Sequence, residues 1–131
     1  MVQAVLNRIS FDDYRGSGHW FDDPKDFCVN VDMQIASTEM DGGDLFSLTV
    51  CSPKWFENNV IHPQVQHASH ERRTRLVFGR HHLFVDEFNE GEIEKTVREV
   101  IRSVRGNDWN DVAQKLSRYF RWEFEDYQEF D

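Results

Sequence analysis

The residues best suited to chemistry are histidines, three of which fall in one polar segment. His62, His67 and His70 lie between residues 58 and 75, and the spacing of His67 and His70 would allow both to bind one metal ion in a turn. Zinc sites usually add cysteine or carboxylate ligands in a rigid frame, and Glu71 alone lies nearby. The segment is therefore interpreted as a polar loop. A small hydrolase or nuclease built on these three histidines is the alternative.

Nucleophilic chemistry has weaker support. Cys28 and Cys51 sit in strand-like runs without a CxxC spacing, which is typical of buried thiols in a reducing compartment. Cys51 precedes Ser52 and the start of a helix, where a thiol pKa can be lowered, but no base accompanies it. The chain has no GxSxG motif, and Gly42-Gly43 is followed by an aspartate that would oppose phosphate. The sequence predicts a protein that is not an enzyme and needs no metal or cofactor.

The overall charge limits the choice of partner. The chain has 131 residues and a formal net charge of −9, which would repel a phosphate backbone and an anionic membrane and attract a basic protein. Residues 1–44 carry nine acidic and three basic side chains, and residues 122–131 carry five acidic and no basic ones. We do not expect the brief apolar start of the chain to be a signal peptide, because it lacks a basic region and a long apolar run, and no run is long enough to span a membrane. We expect a cytosolic protein that binds neither nucleic acid nor membrane.

Alternating and helical patterns predict the elements that position these residues. Apolar side chains alternate with polar ones over 27–35, a turn follows at 41–44, and a return strand covers 45–51. Ser52-Pro53 should begin a short helix containing Trp55 and Phe56. Residues 76–88 read as a further strand region.

The C-terminal part is predicted to hold two helices and a strand. Asn89 and Glu92 have the spacing of a capping box, Gly106 should end that helix at C′, and Asp108 should cap the next. Residues 122–127 alternate as a half-buried strand with an acidic outer face. The order predicts an α+β fold: an antiparallel or mixed sheet of about five strands with two to three helices packed on one face. Residues 1–131 form one domain of the length expected for a single core.

Four sequence strings, in this order, are similar to a known family: VCSPKWF at 50–56, GRHHLFV at 79–85, WNDVAQKL at 109–116 and WEFEDY at 122–127. Together they resemble the Immunity protein 8 family of bacterial polymorphic toxin systems over most of residues 26–128. The resemblance implies a cytosolic, non-enzymatic protein that binds the C-terminal domain of one cognate toxin and blocks it. An acidic inhibitor suits a basic toxin that acts on nucleic acid, because carboxylates can occupy the phosphate path.

The aromatic residues of the motifs and the exposed acidic residues are expected to have different roles. Among the motif residues, the aromatic side chains are interpreted as structural: Trp55, Trp109, Trp122 and Phe124. Contact with the toxin is expected from exposed acidic residues of two segments: Asp12, Asp13, Asp22, Asp23, Asp26, Glu123, Glu125, Asp126 and Glu129.

Overall fold

In a computed structural model, the chain is described over residues 1–12, 22–63 and 74–125. The elements in chain order are β1 Val2–Asp12, β2 Cys28–Ser37, β3 Asp44–Cys51, α1 Pro53–Phe56, β4 His82–Phe84, α2 Glu90–Ser103, β5 Arg105–Gly106, α3 Trp109–Leu116 and β6 Arg121–Trp122. A π-helical turn, Glu57–Ile61, continues α1. In these ranges, no helix is long and apolar enough to cross a membrane.

The strands form one mixed sheet in the order β4-β3-β2-β1-β5, with β6 also beside β3. β1, β2 and β3 pair antiparallel, β4 runs parallel to β3, and β6 runs antiparallel to it. The predicted hairpin is present, with Val29 opposite Val50 and Val31 opposite Leu48. Its turn requires glycine at Gly43, where φ is +148° and a Cβ would lie 2.6 Å from the carbonyl oxygen of Ile35.

The alternating pattern of β2 places its apolar side chains in the core. Val29, Val31, Met33 and Ile35 are buried, as predicted, and belong to one cluster with apolar residues of α2 and α3. The members contributed by these two helices are Ile93, Val97, Ile101, Val112, Ala113 and Leu116. The prediction of an α+β fold with a mixed sheet and three helices is confirmed.

Side-chain caps begin all three helices, as the sequence indicates. The accepting oxygens belong to Ser52, Asn89 and Asp108, and each accepts from the backbone N–H three residues further on, at 2.8–3.2 Å. Each bond satisfies one of the N–H groups that a helix leaves unpaired at its start.

Gly106 does not have the predicted C′ role. α2 ends at Ser103, Val104 is already extended, and Gly106 lies in β5 opposite Val2. A Cβ at this position would lie 2.6 Å from Oδ2 of Asp111, so a larger residue would have to displace the carboxylate that accepts from the Asn107 N–H. The close approach of Asp111, and not a left-handed backbone, favours glycine here.

Two predicted strands are shorter than their patterns suggested. In the 76–88 region only His82–Phe84 is a strand, and His81 adopts a turn conformation with φ of 61°. The terminal strand covers Arg121–Trp122 and a turn follows at 123–125, while Asp126 and Tyr127 lie outside the described residues. The Glu123 N–H still donates to the Leu45 carbonyl, but the Leu45 N–H donates to the side-chain Oε1 of Glu123, and the regular ladder ends there.

Candidate partner-binding surface

Two tryptophans of the C-terminal motifs share one carboxylate. The Oδ2 atom of Asp44 accepts hydrogen bonds from Nε1 of Trp109 at 2.8 Å and from Nε1 of Trp122 at 3.0 Å. The buried ring of Phe46 stacks against Trp122 and meets Trp109 edge-on, with centroid distances of 6.3 and 6.5 Å. This arrangement ties α3 and β6 to the start of β3, so it builds the scaffold and leaves little of the two indoles for a partner.

The other two aromatic residues of the motifs do not contact the Asp44 carboxylate. Trp55 is half-buried in α1, where its backbone N–H donates to the Ser52 side chain. Phe124 lies in the turn after β6 with 44% of its surface exposed, and its ring packs edge-on against Trp122 at 5.9 Å. Phe124 therefore covers Trp122 from outside and does not enter the core.

One end of the sheet gathers acidic residues from distant parts of the sequence. The N–H of Phe88 donates to the carbonyl of Pro24 at 2.7 Å, and the rings of Phe27 and Phe88 meet edge-on at 5.1 Å. These contacts hold the turn at 22–26 beside the segment that leads into α2. We call the resulting surface the acidic end and define it by seven residues: Asp22, Asp23, Asp26, Asp86, Glu87, Glu90 and Glu92.

The charge of the acidic end is only partly neutralised. Lys25 lies among its seven carboxylates, which leaves a formal charge of −6 over residues 22–26 and 86–92. A hydrogen bond from the Lys25 backbone N–H lowers the pKa of Asp23, and Lys54, 3.3 Å away, lowers it further. Glu90 and Glu92 lie in the first turn of α2, where the helix dipole favours negative charge. Asp22, Asp86 and Glu87 are exposed and present their charge to solvent.

The acidic residues near the C-terminus lie elsewhere. The Glu123 N–H donates to the carbonyl of Leu45, near the start of β3, whereas the acidic end lies beyond Ser52. From Leu45 to Ser52 an extended strand covers roughly 24 Å, so Glu123 lies apart from the acidic end. The carboxylate of Glu125 binds Arg80 at 2.6 Å and lies 3.6 Å from Nε2 of His81.

Four predicted contact residues remain, and the structure describes only the backbone of one of them. The backbone of Asp12 lies at the end of β1, opposite Asn30. Asp13, Asp126 and Glu129 lie outside the described residues.

Comparison with protein families decides the nature of the chain. Its residues 4–127 match the family described as Immunity protein 8, which covers both hairpin strands, all three helices and the shared carboxylate of Asp44. The chain belongs to the Immunity protein 8 family. It is therefore an immunity protein, and its partner is a cognate toxin. Neither the curated proteins nor the solved structures gave a match.

This immunity protein also exposes an apolar run, residues 76–78, within the region that was predicted to be a strand. Leu76 and Phe78 are 92% and 97% exposed, and Val77 between them is exposed as well. Residues 74–79 have no regular structure, and Arg75 and Arg80 lie just outside the run. The signal for this surface was the absence of alternation: three successive apolar residues cannot all face one side of a strand.

The alternative was a small hydrolase or nuclease built on His62, His67 and His70. It gains no geometric support from His62, the one of the three that the structure describes. Nε2 of His62 lies 3.8 Å from a carboxylate oxygen of Glu57, while His67 and His70 lie outside the described residues. Within 1–12, 22–63 and 74–125, no three His, Cys, Asp or Glu side chains are placed to hold a metal ion. Burial raises the pKa of the Cys51 thiol to about 12, opposite to the lowering considered from its place before a helix. At neutral pH this thiol is protonated and a poor nucleophile.

Proposed function

We propose that this immunity protein neutralises, in the cytosol, a basic toxin domain that acts on nucleic acid. The observation that carries the proposal is the acidic end, where the fold brings together seven carboxylates from two separate stretches of sequence. A domain that binds nucleic acid needs lysine and arginine to contact phosphates. The acidic end presents carboxylates to such a channel in place of phosphates.

The charge supports a specific binding mechanism. Complementary fields raise the association rate of two proteins well above the neutral value, and salt screens the effect over about 10 Å at 0.1 M. Once the complex forms, carboxylates in the channel exclude the substrate by occupying its path and by repelling its phosphates. Inhibition then requires no chemistry from the immunity protein.

The cognate toxin domain provides the test. The purified domain is incubated with labelled RNA and DNA, and the immunity protein is added in increasing amounts. We expect cleavage of one of these nucleic acids, and complete inhibition at one equivalent. Cells that express the toxin domain in the cytosol should survive when they also express the immunity protein there. A toxin domain that cleaves neither substrate but is still neutralised would refute the nucleic-acid part of the proposal.

We further propose that the apolar run 76–78 supplies buried contact area in the complex. A few apolar anchors usually carry most of the binding energy of an interface, and truncating one costs more than about 1 kcal/mol. Leu76→Ala and Phe78→Ala should therefore each raise the Kd for the toxin domain at least about fivefold. The free energy of unfolding should not change, because both side chains are almost fully exposed.

Leu45→Ala is the matched control for this experiment. Leu45 is an apolar residue with 47% of its surface exposed, and it lies near the start of β3. Its truncation should leave the Kd unchanged. Equal effects of Leu45→Ala and Leu76→Ala, or unchanged binding by both variants of the run, would contradict a contact role for the run.

A further inference from the structure

The only two cysteines in the chain lie directly opposite each other in the hairpin. Cys28, the first residue of β2, is the register partner of Cys51, the last residue of β3. Cys51 is fully buried, and Cys28 is half-buried. Directly opposite residues of an antiparallel pair have their side chains on the same face of the sheet.

Three backbone hydrogen bonds define the type of this pair. The Ser52 N–H donates to the carbonyl of Phe27 at 3.0 Å, so Phe27 and Ser52, the residues next to the cysteines, form a hydrogen-bonded pair. The carbonyl of Cys51 accepts from the N–H of Val85, and the N–H of Thr49 donates to the carbonyl of His81, so both groups point toward β4 and away from β2. Cys28 and Cys51 therefore form a non-hydrogen-bonded pair.

This pairing has the spacing that a disulfide needs. In non-hydrogen-bonded pairs the two Cα atoms are about 4.5 Å apart, and the side chains are closer than in bonded pairs. Disulfides join Cα atoms that are about 4.4–6.8 Å apart. A bond between the two Sγ atoms requires side-chain rotation and no change of register.

We infer that Cys28 and Cys51 form a reversible cross-strand disulfide when the folded protein meets a small-molecule disulfide such as oxidised glutathione. In the first step, the Cys28 thiolate attacks one sulfur of the oxidant, and one glutathione thiolate leaves. In the second, the Cys51 thiol gives its proton to solvent, its sulfur attacks Sγ of Cys28, and the second glutathione thiolate leaves. The two protein thiols lose two electrons and two protons, and the oxidant is reduced to two glutathione molecules.

The two cysteines are unequally buried, so we expect the oxidant to react with Cys28 first. Cys28 is the sulfur that an oxidant can reach, whereas Cys51 is enclosed by the fold. Because burial holds the pKa of Cys51 at about 12, its thiolate is scarce at neutral pH, and the second step limits the rate. Below that value, the thiolate fraction rises about tenfold for each unit by which the pH increases.

The disulfide would also fix one end of the sheet. Ser52 follows Cys51, and its hydroxyl caps α1 and accepts from the N–H of Phe27. Linking Cys28 to Cys51 ties this junction to the turn that carries Asp22, Asp23 and Asp26. The inference does not depend on the proposed function, since the chain alone is sufficient to test it.

The test is intact-mass analysis of the folded protein after incubation with oxidised glutathione and alkylation of remaining thiols. We expect a product about 2 Da lighter than the reduced chain, with no alkylation, and a digest containing one peptide pair linked through residues 28 and 51. The rate of closure should rise about 100-fold between pH 7 and pH 9. A stable glutathione adduct that does not close, or two thiols that stay open to alkylation after unfolding, would overturn the inference.

Two variants separate the steps. Cys51→Ser should stop at the adduct of one glutathione on Cys28. Cys28→Ser should take up no glutathione while folded, because Cys51 is enclosed. Fast modification of Cys51 in Cys28→Ser would contradict the proposed order.

Discussion

Replacing Asp44 with alanine is expected to lower the free energy of unfolding by about 3 kcal/mol. Its Oδ2 atom is the acceptor for the indole N–H groups of both Trp109 and Trp122. A hydrogen bond to a charged group contributes about 1.5–3 kcal/mol, and each donor left without its partner loses that contribution. Urea denaturation followed by tryptophan fluorescence measures the change, and two of the chain's four tryptophans lie at the site.

Asp44→Asn is the matched control, because it keeps an oxygen acceptor of nearly the same shape and removes only the charge. We expect it to lose less than half as much stability as Asp44→Ala. A urea midpoint that is unchanged in Asp44→Ala would show that water satisfies the two indoles, and that the shared carboxylate does not hold α3 and β6 to β3.

Reversing the exposed charges of the acidic end is expected to slow association with the toxin domain at least tenfold at low salt. The triple variant Asp22→Lys, Asp86→Lys and Glu87→Lys changes the formal charge of this surface from −6 to zero. Electrostatic steering can raise association rates by about 10–1,000-fold, so its removal should be seen mainly in the association rate. Stopped-flow fluorescence at increasing salt measures it, and salt should slow the wild type far more than the variant.

A second triple variant separates position from total charge. Glu39, Asp41 and Glu99 are also exposed, and Glu39 and Asp41 lie in the hairpin turn at the other end of β3. Their reversal to lysine changes the net charge equally but should slow association much less. Equal slowing by both variants would assign the effect to net charge, and no slowing by either would mean that the acidic residues only keep the protein soluble.

Features set by neighbouring residues could be predicted from the sequence. The β2–β3 hairpin follows from strict alternation and a glycine turn, and the caps at Ser52, Asn89 and Asp108 follow from residue type just before a helix. In each case the deciding interaction spans only a few residues, so that local pattern and structure agree.

Features set by distant residues could not be predicted in this way. Asp44 bonds to indoles that lie 65 and 78 residues further along the chain, and nothing near it in the sequence marks it as an acceptor. The acidic end has the same origin, since Phe88 holds residues 86–92 beside the turn at 22–26 through its contacts with Pro24 and Phe27. The end of the terminal strand was not predicted, because alternation gives the face of each side chain but not that the Glu123 carboxylate accepts from the Leu45 N–H, 78 residues away.

Binding of the toxin is tested most directly by a calorimetric titration of this immunity protein into an inactivated form of its cognate toxin domain. We expect a one-to-one complex with a Kd of about 1 nM or tighter at low salt, and the affinity should weaken as salt rises. A toxin domain that is folded, and toxic when active, yet gives no heat of binding and no complex on gel filtration would contradict it.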